Sequence, residues 1–392
     1  MSNSIPYGRQ SIDQDDETAL VEALYSDFLT QGPKVAEFES KFASYVGSKY
    51  AVAVSNGTAA LHLCALALGV NSESNVITTP ITFAASSNCI LYCGGKVQFV
   101  DIDPATGVLD INEVRKLLTS NPKGYFNGLI PVDFAGYPVN LEEFSKLADE
   151  YGLWIIEDAC HAPGGFFTDS KKKVQRCGNG NFADLAIFSF HPVKHIATGE
   201  GGMITTNDEK LFHKLLKLRT HGITKDPSFL ERNDGGWYYE MQELGFNYRI
   251  PDILCALGIS QLKKADDGLL KRKAIARKYD EAFKPITSIR TLSNEQDLEV
   301  RGISHAYHLY IIKVKDRLGL YNHLRKKNIF AQVHYIPVYR MPYYQNSGYH
   351  EVKCINAEEY YSECLSLPMY PTLSEDEQNL VIKTILEFQK SL

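Results

Sequence analysis

The chain contains no run of about 18 apolar residues, so no membrane-spanning helix is expected. The first ten residues, Met1 to Gln10, hold neither an apolar run nor a cleavage pattern, and no signal peptide is expected. Eight cysteines are scattered at positions 64, 89, 93, 160, 177, 255, 354 and 364, with no CxxC pair. That spacing argues against a metal centre or a disulfide framework and for free thiols in a reducing compartment. Cytoplasmic residence follows as the expectation. Basic charge is not in excess: 41 Lys and Arg face 47 Asp and Glu, a formal net charge of −6. This balance speaks against a general nucleic-acid or anionic-membrane binder. Internal repeats and low-complexity tracts are lacking, and Lys171-Lys172-Lys173 reads as the solvated tip of a hairpin.

What is present is an ordinary globular composition, 44% apolar and 22% charged over 392 residues. The length suggests two units, which we place at residues 1–265 and 266–392. Short apolar strands alternate with helical patterns through the first unit. Strands are expected at Tyr50–Val54, Asn75–Pro80, Val97–Asp101, Gly128–Val132, Leu153–Ile156, Leu185–Phe190 and Gly202–Thr206. Helices are expected at Ile12–Phe28, Val35–Val46, Ala59–Leu68, Ala84–Cys93, Val114–Ser120, Leu141–Tyr151 and Lys210–Thr220. Such alternation predicts an α/β fold, a mostly parallel sheet with helices on both faces. Residues 222–245 read as an irregular aromatic loop. Helices at Ile250–Lys264, Lys271–Phe283, Leu318–Lys327, Ala357–Ser366 and Ser374–Gln389, with strands at Tyr307–Val314 and Ile329–Val333, predict a smaller α+β unit.

The chemistry-bearing residues gather at expected strand ends, where ligands collect in open α/β sheets. Lys194 follows the strand that ends near Ser189, and Gly199-Glu200-Gly201-Gly202 comes next. Asp158 ends another buried strand. A lysine and an acid so placed are the minimum equipment for pyridoxal phosphate chemistry: the amine condenses with the cofactor aldehyde, and the carboxylate keeps the pyridine nitrogen protonated. His161 either packs near the cofactor O3′, steadies Asp158, or is a satisfied core histidine. Ser55-Asn56-Gly57-Thr58 opens a helix straight after a strand, which makes either an anion site or an ordinary capped turn. Ser189 is a candidate second phosphate donor. Phe83 either lies on the pyridine ring or belongs to the core. Arg249 suits a phosphate or carboxylate. His334 and Tyr335 form a polar and aromatic strand end that faces a nucleotide or sugar, or nothing.

Taken together, Gly32-Pro33, Ser55 to Leu61, Asp158-Ala159-Cys160-His161, Ser189 to Lys194, Gly199 to Gly202 and Gly245 to Arg249 resemble the sugar aminotransferases of the DegT/DnrJ/StrS family, a branch of the fold-type I pyridoxal phosphate enzymes. The resemblance runs over essentially the whole chain. It implies that Lys194 carries the cofactor and that Asp158 holds the pyridine nitrogen. It also implies that Gly57, Thr58 and Ser189 bind the phosphate and that Phe83 stacks on the ring. Asn247 would reach the phosphate of the neighbouring subunit's cofactor, so a homodimer with shared sites is implied. Related dehydratases carry histidine at the Schiff-base position, and lysine at 194 counts against that reaction. Pro6 to Gln10, Leu29 to Gly32, Thr78 to Phe83 and Ala331 to Tyr339 are similar to the branch of the family that serves pseudaminic acid biosynthesis. That likeness implies a UDP-linked 4-keto-6-deoxy-L-sugar as substrate and L-glutamate as amino donor. Tyr7, Arg249, His334 and Tyr335 become candidates for sugar-nucleotide contacts. The alternative is another UDP- or dTDP-linked 3- or 4-keto-deoxysugar.

Overall fold

The computed structural model describes residues 4–292 and 295–390. A two-residue strand, β1 (Ile5–Pro6), leads into helices α1 (Gln14–Leu24) and α2 (Pro33–Val46). Asp13 caps α1, exchanging hydrogen bonds with Asp16 in a capping box, and left-handed Gly47 ends α2 at φ 87°. Strands and helices then alternate: β2 (Tyr50–Val54), α3 (Gly57–Ala67), β3 (Asn75–Thr78), α4 (Ala85–Tyr92), β4 (Lys96–Phe99), α5 (Ile111–Thr119), β5 (Gly128–Ile130), α6 (Leu141–Tyr151) and β6 (Trp154–Asp158). A hairpin of β7 (Phe166–Thr168) and β8 (Val174–Arg176) carries Lys171 to Lys173 at its tip, as expected. β9 (Leu185–Ser189), β10 (Gly202–Thr206) and α7 (Glu209–Arg219) complete the alternation.

Seven of these strands form one sheet in the order β2-β10-β9-β6-β5-β3-β4. β10 is antiparallel to both neighbours; the remaining pairs are parallel. Side chains of a strand alternate between faces, and here the two faces feed separate apolar layers. Val52, Val54, Ile187 and Ile204 join the main core, whereas Ala51, Ala53, Phe188 and Met203 pack with Phe38, Phe42 and Ile259 on the other side. Burial on both faces is why these strands read as near-continuous apolar runs. Because β10 runs backwards, its first residue, Gly202, pairs with Val54 and with Ser189 at the edge where the parallel strands end. A Cβ on Gly202 would meet the Asn56 backbone at 2.6 Å, so only glycine lets the Asn56–Gly57 turn close over it.

Three expectations need correction. Residues 222–245 are not wholly irregular: β11 (Ile223–Thr224) pairs antiparallel with β12 (Glu240–Met241). The helix expected over Ala357–Ser366 stops at Glu363, where the fully buried Cys364–Leu367 turns into a strand paired with Tyr310–Lys313. The helix expected from Lys271 starts earlier. After α8 (Asp252–Lys263), α9 spans Ala265–Phe283, with Asp266 and Asp267 suiting its positive end. The expected boundary at residue 265 thus coincides with the α8–α9 junction. The core ignores it: one apolar cluster includes Ile5, Val52, Tyr310, Tyr360 and Ile385. β1 pairs in parallel with Ile329–Phe330, joining the chain's beginning to its last quarter.

Candidate active site

The edge where β2, β6 and β9 end borders a cavity of about 720 Å³. Asn56 caps α3, its side chain accepting from the Ala59 N–H at 2.8 Å. The N–H groups of Gly57 and Thr58 are left without intrahelical partners at the positive end of the helix dipole. A Cβ on Gly57 would meet Ser189 Cβ at 3.1 Å and Cys160 Sγ at 3.5 Å, so the glycine keeps open a cradle between the helix end and the Ser189 hydroxyl.

Asp158 is 5% exposed. Its Oδ2 accepts from Ser86 Oγ at 2.7 Å and its Oδ1 from the Cys160 N–H at 3.2 Å. The Thr82 hydroxyl stands 2.8 Å behind Ser86 Oγ. Asp158 makes no ion pair among the described residues. A buried carboxylate held by neutral donors calls for a cationic partner from a ligand. Lys194 lines the same cavity, half-buried, and its amine has no hydrogen-bond or ion-pair partner among the described residues. Burial lowers its pKa and the buried Arg272 guanidinium adds to this, against the opposing pull of Cys160 and Asp158. A lysine so placed is an available nucleophile.

His161 is 4% exposed, and its Nδ1 accepts the Ala135 N–H at 3.2 Å. Its Nε2 lies 3.3 Å from the Tyr335 hydroxyl. Burial, with Lys194, His334 and His195 nearby, holds its pKa well below the usual histidine range. His334, joined to Tyr335 by a cis peptide, has Nδ1 2.9 Å from Ser366 Oγ and is pushed down to about 4, mainly by burial. The Tyr7 ring packs 5.0 Å from it. Phe83 stands 63% exposed, 6.5 Å from the Tyr335 ring.

Of the residues singled out in the sequence, the fold brings Tyr7, Gly57, Thr58, Phe83, Asp158, His161, Ser189, Lys194, His334 and Tyr335 to this cavity. It does not bring Asn247 or Arg249. Arg249 lines a smaller cavity of about 270 Å³ with Gln31, Glu39 and Arg219. Asn247 is exposed, in an isolated bridge to Thr220. Sequence reading missed Ser86 and His308. Ser86 lies in the first turn of α4, four residues after Thr82, and its position along the chain names no partner. His308 sits in an apolar run that reads only as strand.

These residues fit pyridoxal phosphate: an uncommitted amine, a carboxylate lacking a cation, and an anion cradle at a helix N-terminus face one cavity. Residues 10–386 match the DegT/DnrJ/EryC1/StrS aminotransferase family. A UDP-4-amino-4,6-dideoxy-N-acetyl-beta-L-altrosamine transaminase of Campylobacter jejuni is 38% identical over 383 residues, 97% of this chain and 96% of the relative. Helicobacter pylori PseC, an aminotransferase involved in the biosynthesis of pseudoaminic acid, superposes with a TM-score of 0.87 at 30% identity, covering 100% of both chains. The PLP-form of Spr1654 of Streptococcus pneumoniae gives a TM-score of 0.87 at 26% identity, covering 99% of each chain. The chain therefore belongs to the DegT/DnrJ/EryC1/StrS family and is a pyridoxal phosphate-dependent sugar aminotransferase.

Proposed function

We propose that the enzyme moves the amino group of L-glutamate to C4 of a UDP-linked 4-keto-6-deoxy-N-acetylhexosamine of L configuration (UDP-2-acetamido-2,6-dideoxy-β-L-arabino-hexos-4-ulose). The product would be UDP-4-amino-4,6-dideoxy-N-acetyl-β-L-altrosamine, for pseudaminic acid. The observation carrying the reaction class is the partnerless Lys194 amine sharing a cavity with the cation-free Asp158. The sugar is supported by the name of the 38% identical relative.

When bound, pyridoxal phosphate supplies an aldehyde carbon and an electron-withdrawing ring. Asp158, oriented by Ser86 and the Cys160 N–H, holds the ring nitrogen proton. Gly57, Thr58 and Ser189 would hold the cofactor's phosphate, and Phe83 would pack against its ring. Lys194 is the base that takes the proton from Cα of glutamate and later delivers one to C4 of the sugar. Tyr7, His334 and Tyr335 line the part of the cavity left for the sugar.

Asn247 is exposed and stands outside its own chain's cavity, which suits a role toward a second copy. Tyr25, Trp237 and Leu244, 85%, 78% and 78% exposed, give apolar surface for such a homodimer. Residues 1–265 would act as the cofactor-binding unit and residues 266–392 as the smaller one. Eight free cysteines are in keeping with a reducing cytoplasm.

Borohydride trapping with peptide mapping is expected to place the cofactor on Lys194, and Lys194→Ala to abolish turnover. A label elsewhere would end the assignment. The sugar is tested with the two C5-epimeric UDP-4-keto sugars side by side: the L-epimer is expected to react faster. Equal rates or a D preference would point to another keto-deoxysugar.

A further inference from the structure

His161 and Tyr335 meet over a hydrogen bond whose direction the surrounding backbone decides. The Ala135 peptide is pinned on both sides. Its carbonyl accepts from the Leu309 N–H at 3.1 Å, and the next carbonyl, Gly136 O, accepts from the Ala306 N–H at 2.7 Å. Ala135 itself sits in the left-handed region at φ 59°, a conformation a non-glycine residue keeps only when its surroundings impose it. Its N–H faces His161 Nδ1 at 3.2 Å. A backbone N–H can only donate, so Nδ1 must present its lone pair. A neutral imidazole then carries its single proton on Nε2, and burial beside Lys194 keeps this ring neutral. Nε2–H therefore donates to the Tyr335 oxygen, 3.3 Å away.

That bond uses the phenol as an acceptor and leaves its own proton uncommitted. Among the described residues the Tyr335 hydroxyl has no other partner. Burial raises its pKa, so the proton stays on. The group lines the cavity with Lys194, and its ring packs against those of His334, 4.9 Å away, and Phe83.

We infer that Tyr335, oriented by a tautomer-locked His161, donates a hydrogen bond to the keto oxygen of the sugar substrate. This rests on the keto-sugar reading above. The keto oxygen departs as water when the incoming amine replaces it. A carbon–nitrogen double bond forms as the carbon–oxygen one breaks, and the amine supplies both protons of the water. A neutral donor beside that oxygen eases its departure without placing a charge next to the lysine. His161 is the positioning residue: its proton fixes where the phenol points.

The test follows the two half-reactions of the holoenzyme separately by stopped-flow absorbance. Tyr335→Phe is expected to slow the keto-sugar half-reaction by about 10-fold or more, between a lost neutral hydrogen bond and a lost oxyanion donor. The early phase of the glutamate half-reaction, in which the Cα proton is removed, should change by less than about 2-fold, since no keto oxygen is present until the oxo acid forms in the later hydrolysis. Long-range ¹H–¹⁵N spectra of histidine-labelled wild-type protein should show His161 as the Nε2–H tautomer, unchanged in Tyr335→Phe. No slowing, equal slowing of the Cα-proton phase, weakened cofactor binding alone, or an Nδ1–H tautomer would overturn the inference. Should the wild-type enzyme turn over neither keto sugar, the substrate reading fails instead, and the tautomer still decides the donor's direction.

Discussion

Ser86 bonds Asp158, a buried carboxylate of the cavity that makes no ion pair among the described residues. A hydrogen bond to a charged group contributes about 1.5–3 kcal/mol, so Ser86→Ala should weaken pyridoxal phosphate binding by roughly 10- to 100-fold. Absorbance titration of the cofactor-free protein measures this; unchanged affinity would show that Asp158 is held without the hydroxyl. A second buried acid pair lies behind the same strand. Asp133 and Glu157, 0% and 1% exposed, each satisfy one oxygen with a backbone N–H, of Val139 and Gly178 respectively, and leave the other orphaned. Burial pushes Asp133 up to about 7, and burial together with Asp133 raises Glu157 as well. The folded state therefore holds a proton that the unfolded chain releases near pH 4. The contribution of Asp133 to stability is greatest below that pH and is lost as pH rises through about 7. Between about pH 5 and about pH 8 the Tm of the wild type should fall more than that of Asp133→Asn, by scanning calorimetry. Parallel curves would mean that no proton is shared. Lys194, Asp158 and Ser189 were legible in the sequence because each follows an apolar strand. Ser86 was not, because its partner lies 72 positions away.

At the scale of elements, the start of α3 joins a strand end, a cap and a glycine in one anion cradle. Gly57→Ala would put a methyl against Ser189 and Cys160 while improving helix propensity. Affinity for pyridoxal phosphate is expected to fall about 10-fold or more, and affinity for phosphate-free pyridoxal much less. Matched titrations of the two compounds separate a filled phosphate cradle from general damage, which would weaken both alike. The strands of the central sheet could be read because burial on both faces writes them as apolar runs. The two-residue ladders could not. β1 has a strand partner only at Ile329–Phe330, and β11 exists only because β12 returns beside it. Cys364–Leu367 continued a helical pattern in sequence and became a strand where Tyr310–Lys313 offered an edge.

Over the whole molecule, residues 1–265 and 266–392 are joined beside the cavity. The N–H groups of Ala306 and Leu309 donate to the carbonyls of Gly136 and Ala135 at 2.7 and 3.1 Å, and His195, next to Lys194, meets the Ala306 carbonyl at 2.8 Å. Expressed alone, residues 1–265 should bind a hydrophobic dye and melt without a cooperative transition, because their share of the common core is bared. A sharp calorimetric transition of that fragment would show an independent domain. If two copies share sites, mixing Lys194→Ala chains with Asn247→Ala chains should restore up to about a quarter of wild-type activity, through the one intact site of each mixed dimer. Recovery of none would remove the shared-site proposal.

Composition and strand-end residues alone determined the α/β class, the lysine and the acid, because local burial and short-range spacing are written along the chain. The partner that orients Asp158, the tautomer of His161, and the exclusion of Asn247 and Arg249 from their own chain's cavity were decided only by tertiary structure. Each depends on where a group distant in sequence comes to rest, and backbone closure and core packing set that position.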